Sequence, residues 1–267
     1  HKKFYKYSKT LLMYDNYINK QIEKMANEIL DGILYVNESI EPLNIGSIDN
    51  IDWDVQFGKS PNTFQLYLQC LNPVMILTKG FEINQNIEYL NCAKKIISSW
   101  EEYKNTDAAL KNSFLWYDHG TVLRAENLIY YLLVCDKAKY NVDDLNLGKT
   151  LEEHGLFLSD SSNYTENHNH GIFQDRALIY TAYYLNNKYS LDWVNIAKDR
   201  LEKQKEFAFN VEMVHVENSP GYQVGVMNIF HNIAEFLMQY GDDFGQRLYD
   251  SIKSSAEFIA WAYKPNG

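Results

Sequence analysis

Three short segments of this chain concentrate residue types that could bind anions or move protons. The densest is Glu166-Asn167-His168-Asn169-His170-Gly171, which leads into an apolar helical run at Ile172 with Asp175 and Arg176 in its first turns. Free backbone N–H groups and the dipole at a helix N-terminus favour negative charge, and Asn and His side chains add donors there. The plainer reading is an Asn-rich turn that ends in an N-cap. His168 and His170 could share an ion, but no carboxylate or Cys spacing supports a metal site, and none is expected.

The second segment is His215-Val216-Glu217-Asn218-Ser219-Pro220-Gly221-Tyr222. In an extended stretch His215 and Glu217 point to the same side. Pro220-Gly221 then forces a turn that delivers Tyr222 at the mouth of the next helix. A phenol held there can act as general acid or base if nearby donors lower its pKa from about 10. A packing tyrosine after a turn is the alternative. The third segment is Trp116-Tyr117-Asp118-His119-Gly120-Thr121, with Arg124 further along the same helix. Asp118 reads as an N-cap, which puts His119 in the first turn. Arg124 offers two parallel donors to a carboxylate or sulfate, unless a neighbouring Glu126 or Glu153 takes them. A weaker feature is Trp53, in Ile51-Asp52-Trp53-Asp54, which could stack on a sugar ring or sit in the core.

The elements that must position these residues are helical. Apolar residues recur at helical spacing over Ile18–Leu30, Thr63–Thr78, Ile87–Tyr103, Thr121–Cys135, Leu147–Leu158, Ile172–Leu185, Trp193–Phe209, Tyr222–Tyr240 and Phe244–Tyr263. Gly32, Gly80 and Gly241 read as C-terminal stops and Asp192 as an N-cap. Short polar links join successive helices, so antiparallel hairpins are expected, with no strict internal repeat. An incomplete α/α barrel fits the count, and an α-solenoid has the same periodicity. Two polar stretches interrupt the helices: Ser159–Gly171, and Asn210–Gly221 with its alternating piece Val211–Val216. Long loops between rigid helices are where sites are usually built.

Composition narrows the function. A net charge of -10 argues against nucleic acid as a partner, since phosphate binding needs clustered cations. A polyanionic sugar needs positive charge only locally. Twenty-one tyrosines would suit a groove for sugar rings, although an AT-rich genome would also favour Tyr. Cys70, Cys92 and Cys135 lie in apolar helical patterns, where a buried free thiol is the default. No apolar stretch is long enough to span a membrane. There is no nucleophile elbow, phosphate loop or dinucleotide fingerprint. The chain starts without Met and stops where a turn is starting, so a fragment of a longer two-domain protein is expected.

In this order, these segments resemble the heparinase II/III family of polysaccharide lyases. The resemblance is carried by Phe64-Gln65-Leu66-Tyr67-Leu68, Ser99-Trp100, the Trp-x-Asp-His element of Trp116, Asp118 and His119 with Arg124 downstream, the Asn-His-Gly of Asn169-His170-Gly171, and the Glu-x-Ser-Pro-x-Tyr of Glu217, Ser219, Pro220 and Tyr222. It covers about four-fifths of the chain. It implies an all-α fold, an incomplete (α/α) toroid of antiparallel helical hairpins over 1–267, with the family's C-terminal β-sandwich domain absent from this chain and acting as its partner. Glu212-Met213, Gln223 and Val226 stand where relatives carry Asp-Gly, His and Arg, departures that bear on substrate preference.

The activity implied is β-elimination of a uronate-containing polysaccharide, heparan-sulfate-like or alginate-like, with no cofactor. Asn169 and His170 would hold the uronate carboxylate, and Tyr222 would take the C5 proton, protonate the leaving oxygen, or do both. His119, Arg124, Trp116 and Trp53 would bind neighbouring sugars, and Glu217 would orient loops or His215. A periplasmic or secreted setting follows from the family, with a cytoplasmic one left open. Two rivals stand beside this reading. An inverting glycoside hydrolase on a similar barrel could draw its carboxylates from Glu166, Asp175 and Glu217. A sugar-binding or capsule-assembly scaffold would keep the fold without turnover.

Overall fold

The computed structural model describes residues 19–210 and 220–262, without the side chains of Asn19, Pro220, Tyr222 and 254–262. Ten α-helices dominate the described residues, and the chain divides into two compact units, 1–154 and 155–267.

In the first unit α1 (Asn19–Leu30) is followed by a two-stranded antiparallel ribbon, β1 (Ile33–Leu34) with β2 (Leu43–Asn44), paired Ile33 to Asn44 and Leu34 to Leu43. Then come α2 (Pro61–Gln69), α3 (Asn72–Asn84), α4 (Ile87–Tyr103) and α5 (Asp118–Ala138), and α6 (Leu147–Ser159) straddles the boundary between units. Every residue of α3 from Asn72 to Thr78 is buried, and α3 packs against α1, α4 and α5. A helix apolar on all sides belongs in the middle of a core. Gly80 does not end this helix, as its residue type predicts. It lies inside α3, where a Cβ would come within 2.9 Å of the Ala26 Cβ and 3.1 Å of the Tyr89 ring. Its lack of a side chain is what lets α1 and α4 close on α3.

The single helix expected over Thr63–Thr78 is two helices. Pro73 has no N–H to offer the Gln69 carbonyl, and its ring would clash with that carbonyl in a continuous helix. The chain therefore breaks at Leu71, which takes a left-handed φ of 58°. The break leaves the carbonyls at the end of α2 open, and α5 supplies their partners. Arg124 donates from a terminal guanidinium nitrogen to the Gln69 oxygen at 2.6 Å, and the Asn127 amide donates to the Cys70 oxygen at 2.9 Å.

The second unit holds α7 (Asn169–Leu185), α8 (Ser190–Ala208), α9 (Pro220–Gln239) and α10 (Asp243–Ala262), packed as the hairpins α7–α8 and α9–α10. Asp192 is not the cap of α8 but lies in its first turn, where a carboxylate still complements the dipole. Gly241, at φ 73°, does end α9, and its N–H donates to the Met238 carbonyl at 2.9 Å. The three cysteines are buried free thiols, as their apolar surroundings predict. No described helix is long and apolar enough to cross a membrane.

Candidate functional site

The Asn-His-Gly segment opens α7 three residues earlier than periodicity indicates. His168 is the N-cap, its Nδ1 accepting from the His170 N–H at 3.2 Å, and Asn169 and His170 are the first two helical residues. Capping by an imidazole is what lets the helix begin inside a polar segment. The Asn169 Oδ1 is buried and has no hydrogen-bond partner among the described residues. An amide left unsatisfied at a helix start costs about 1–3 kcal/mol, so its retention at that place calls for a functional account.

A polar lattice beneath this helix start holds the preceding loop. Gln174 accepts from the Thr165 N–H at 2.9 Å and donates to the Asn163 carbonyl at 2.7 Å. Arg200 donates to the carbonyls of Leu158 and Ser159 at 2.8 and 3.0 Å, with its guanidinium 4.1 Å from the centre of the Tyr164 ring. The Tyr164 hydroxyl donates to Asp175 at 2.8 Å. Asp175 is wholly buried, and desolvation raises its pKa well above the usual carboxylate range against the opposing effects of Tyr164 and Arg200. Desolvation likewise pushes the Tyr164 phenol up, reinforced by Asp175. An aspartate sealed in this way cannot meet a sugar, which removes it from the hydrolase reading; Glu166 is exposed. Beside the loop lies a cavity of about 250 Å³ bordered by Tyr164, Glu166, Asn167, Arg200, Lys203 and Gln204, which gathers two cations in an acidic chain.

The helix carrying Tyr222 packs against the one carrying Asn169. Tyr180 of α7 packs on Phe236 of α9 with ring centres 4.6 Å apart, and Tyr183 packs on both Phe236 and Tyr240, at 5.4 and 4.5 Å. Asp242, just past α9, accepts from the Tyr183 hydroxyl near the C-terminal end of α7. These contacts join the C-terminal halves of α7 and α9. His215 and Glu217 lie outside the described residues, as does the expected strand Val211–Val216, and so does the Tyr222 side chain.

The third segment sits in the first unit. Trp116 and His119 are half-buried at the start of α5. Asp118 is the first helical residue rather than the cap, its carboxylate accepting from the His119 N–H.

Two expected sugar contacts give way to core roles. Trp53 is only 4% exposed, donates to the Ser99 hydroxyl at 3.0 Å, and receives Gln65 and Gln69 on its carbonyl. Arg124 is fully buried. Besides Gln69 it donates to the Leu115 carbonyl at 2.7 Å and to the His154 Nε2 at 2.8 Å, and its guanidinium lies 4.5 Å from the Trp100 ring centre and 5.4 Å from that of Trp116. With three acceptors met inside the chain, it has no fork left for a carboxylate. Desolvation lowers its pKa to about 10, so it stays charged at neutral pH.

His154 accepts from Arg124 and faces the Thr150 carbonyl through Nδ1 at 2.7 Å, which fixes a neutral Nδ1–H tautomer. Burial, and then the adjacent Arg124 charge, hold its pKa well below 6.5. The unfolded chain takes up this proton as pH falls through about 6.5, and the folded chain does not. Stability is therefore present in full above that pH and declines below it, by up to about 1.4 kcal/mol per pH unit. The urea midpoint should fall between pH 7 and pH 5, and His154→Gln should flatten that dependence; an unchanged slope in the variant would place the titration elsewhere.

Among the described residues no three His, Cys, Asp or Glu side chains cluster as around a metal ion. The residues not anticipated from sequence are Tyr164, Gln174, Arg200 and Gln204. A signal existed for two of them: on α8 the buried stripe runs Trp193, Val194, Ala197, Arg200, Leu201, Gln204 and Ala208, so two polar residues occupy core register.

The profile of the heparinase II/III N-terminus matches residues 2–267. The chain belongs to the heparinase II/III family. Its fold is shared with a heparan sulfate lyase HepC mutant from Pedobacter heparinus, at a TM-score of 0.77 and 14% identity over 96% of this chain and 42% of that one. The unsubstituted HepC gives 0.76 with the same identity and coverage. A heparinase III with methylated lysines gives 0.74 and 16% identity, over 94% of this chain and 42% of that one. No curated protein matches the sequence. This heparinase II/III N-terminal chain thus spans about two-fifths of the length of the structures it resembles, and the likeness establishes the all-α fold class that its motifs imply.

Proposed function

We propose that the protein carrying this chain is a polysaccharide lyase that cleaves a uronate-containing polysaccharide, heparan-sulfate-like or alginate-like, by β-elimination. The observation that supports this reading is that α7, which opens at the Asn-His-Gly segment, and α9, which opens at Pro220-Gly221-Tyr222, pack on each other within the second unit. The helix N-terminus at Asn169 and His170 favours an anion, and the side-chain amide nitrogen of Asn169 is the donor that would meet it.

The chemistry follows from what a uronate needs. Its C5 proton becomes acidic only when the adjoining carboxylate is neutralised. Asn169 and His170 hold that carboxylate and stabilise the enolate-like charge that develops on it. Tyr222 removes the C5 proton, and the C5–H electron pair passes into the carboxylate as the enolate forms. The enolate collapses to a C4–C5 double bond, the C4–O bond breaks, and the leaving oxygen receives a proton from Tyr222. His170 is the alternative base where the epimer presents its proton from the other face. Trp116 and His119 are assigned to sugar binding in their own unit. A C-terminal β-sandwich domain that adds a further His or Tyr belongs to the same proposal.

The test is an assay of the full-length protein on heparan sulfate, alginate and hyaluronan, following the ultraviolet absorbance of the unsaturated uronate. Rising absorbance that Tyr222→Phe abolishes is the expected outcome. New reducing ends without that absorbance would make the protein a hydrolase, and binding without cleavage would make it a scaffold.

A further inference from the structure

Segment 161–167 borders a cavity on one side and rests on Arg200 through the Tyr164 ring. Directed bonds also tie it to α7 and α8. Gln204 of α8 makes two of them, donating from its amide to the Tyr164 hydroxyl at 3.0 Å and to the Thr165 carbonyl at 3.1 Å. The same amide lies against the backbone of Gly171, where a Cβ would fall 2.2 Å from the Gln204 Nε2 and 2.3 Å from the Thr165 carbonyl. Gln204 is 2% exposed and meets no bulk water. One carboxamide thus touches the loop before the helix, the tyrosine beneath it, and the third residue of the helix itself.

We propose that Gln204 is a positioning residue for the Asn169-His170 helix start, a clamp that fixes how far the first turn of α7 projects and so where the Asn169 amide points. The inference rests on the lyase reading for its catalytic consequence, although the clamp itself is a statement about structure. It also gives the glycine of the Asn-His-Gly motif a reason: any side chain at 171 would displace both the Gln204 amide and the Thr165 carbonyl. The alternative is that Gln204 merely satisfies two buried acceptors, in which case its loss lowers stability without moving the helix start.

Gln204→Leu removes the donors at similar volume, and Gln204→Glu keeps the shape but replaces two N–H donors with at most one O–H. In the full-length protein both should lower kcat about ten- to hundredfold, as an ångström-scale misplacement does, with KM within about twofold. Hydrogen exchange should quicken in peptides covering 168–175 and stay unchanged over 178–185. Tyr183→Phe, at the opposite end of α7, serves as a control with kcat and exchange at 168–175 as in the parent. Should the Gln204 variants not fold, Tyr164→Phe deletes one acceptor of the clamp and is expected to give a smaller shift of the same kind. Unchanged exchange over 168–175 in a folded Gln204 variant overturns the proposal whatever the activity. So does an active parent whose Gln204→Leu variant keeps its kcat. A parent that eliminates none of the polymers overturns the lyase reading instead, and the exchange result still decides the clamp.

Discussion

Asn169→Ala is expected to lower kcat for β-elimination by about 10²–10³-fold while leaving the folded state almost untouched. The size follows from the role. A preorganised donor aimed at charge that develops only in the transition state is worth about 3–4 kcal/mol, and its loss appears in kcat more than in KM. The small structural effect follows from the geometry. The α7 cap comes from His168, the Asn169 Oδ1 makes no hydrogen bond among the described residues, and Ala is the better helix former. The melting temperature should therefore move by no more than about 2 °C, or rise. Asn169→Asp is a sharper probe, since a carboxylate facing a uronate carboxylate adds repulsion to the lost donor. Steady-state kinetics on the polymer the parent cleaves, beside a thermal melt, check both halves. A variant that keeps kcat within threefold removes Asn169 from the mechanism.

Arg124→Met should have the opposite signature, a large loss of stability. The guanidinium is sealed among Trp100, Trp116 and His154 and holds the end of α2, the loop at Leu115 and α6 to α5. Its removal leaves the Gln69 and Leu115 carbonyls buried without donors. Losses of about 3–5 kcal/mol attend the breaking of such buried charged networks. That corresponds to a fall in melting temperature of about 10 °C for a chain of this size. Arg124→Lys keeps the charge but not the planar fork, so it should recover only part of the loss. Tryptophan fluorescence gives a direct readout, because two of the five indoles flank the site. A shift below about 3 °C would show that this arginine does not organise the unit and would reopen its assignment to substrate. His154→Gln combined with Arg124→Met should cost less than the sum of the two, since they share one hydrogen bond.

The two predictions divide along the line between what the sequence discloses and what packing adds. Arg124 and Asn169 both sit in motifs that resemble those of one family, and both read equally well as substrate-binding residues. Packing separates them: one is surrounded by two indoles and an imidazole, the other opens a helix with its amide oxygen unmet among the described residues. Residue type and spacing cannot express that difference. Trp53 repeats the lesson, since an indole suits a sugar groove and a core alike, and Ser99, Gln65 and Gln69 from α4 and α2 decide for the core. The break at Leu71 was different, for Pro73 stated it in the sequence and the density of apolar residues around it concealed it.

What the sequence determined by itself is what depends on short-range physics: most of the helices from their 3.6-residue periodicity, the end of α9 from Gly241, and the family from motifs in a fixed order. What the tertiary structure alone decided is what depends on residues distant in the chain. Examples are the burial of Arg124 and Trp53, the sealing of Asp175, the contact of Gln204 with Gly171, and the packing of α7 on α9. Periodicity fixes which face of a helix is apolar but not which neighbour covers it, and that choice is made only when the whole chain closes on its core.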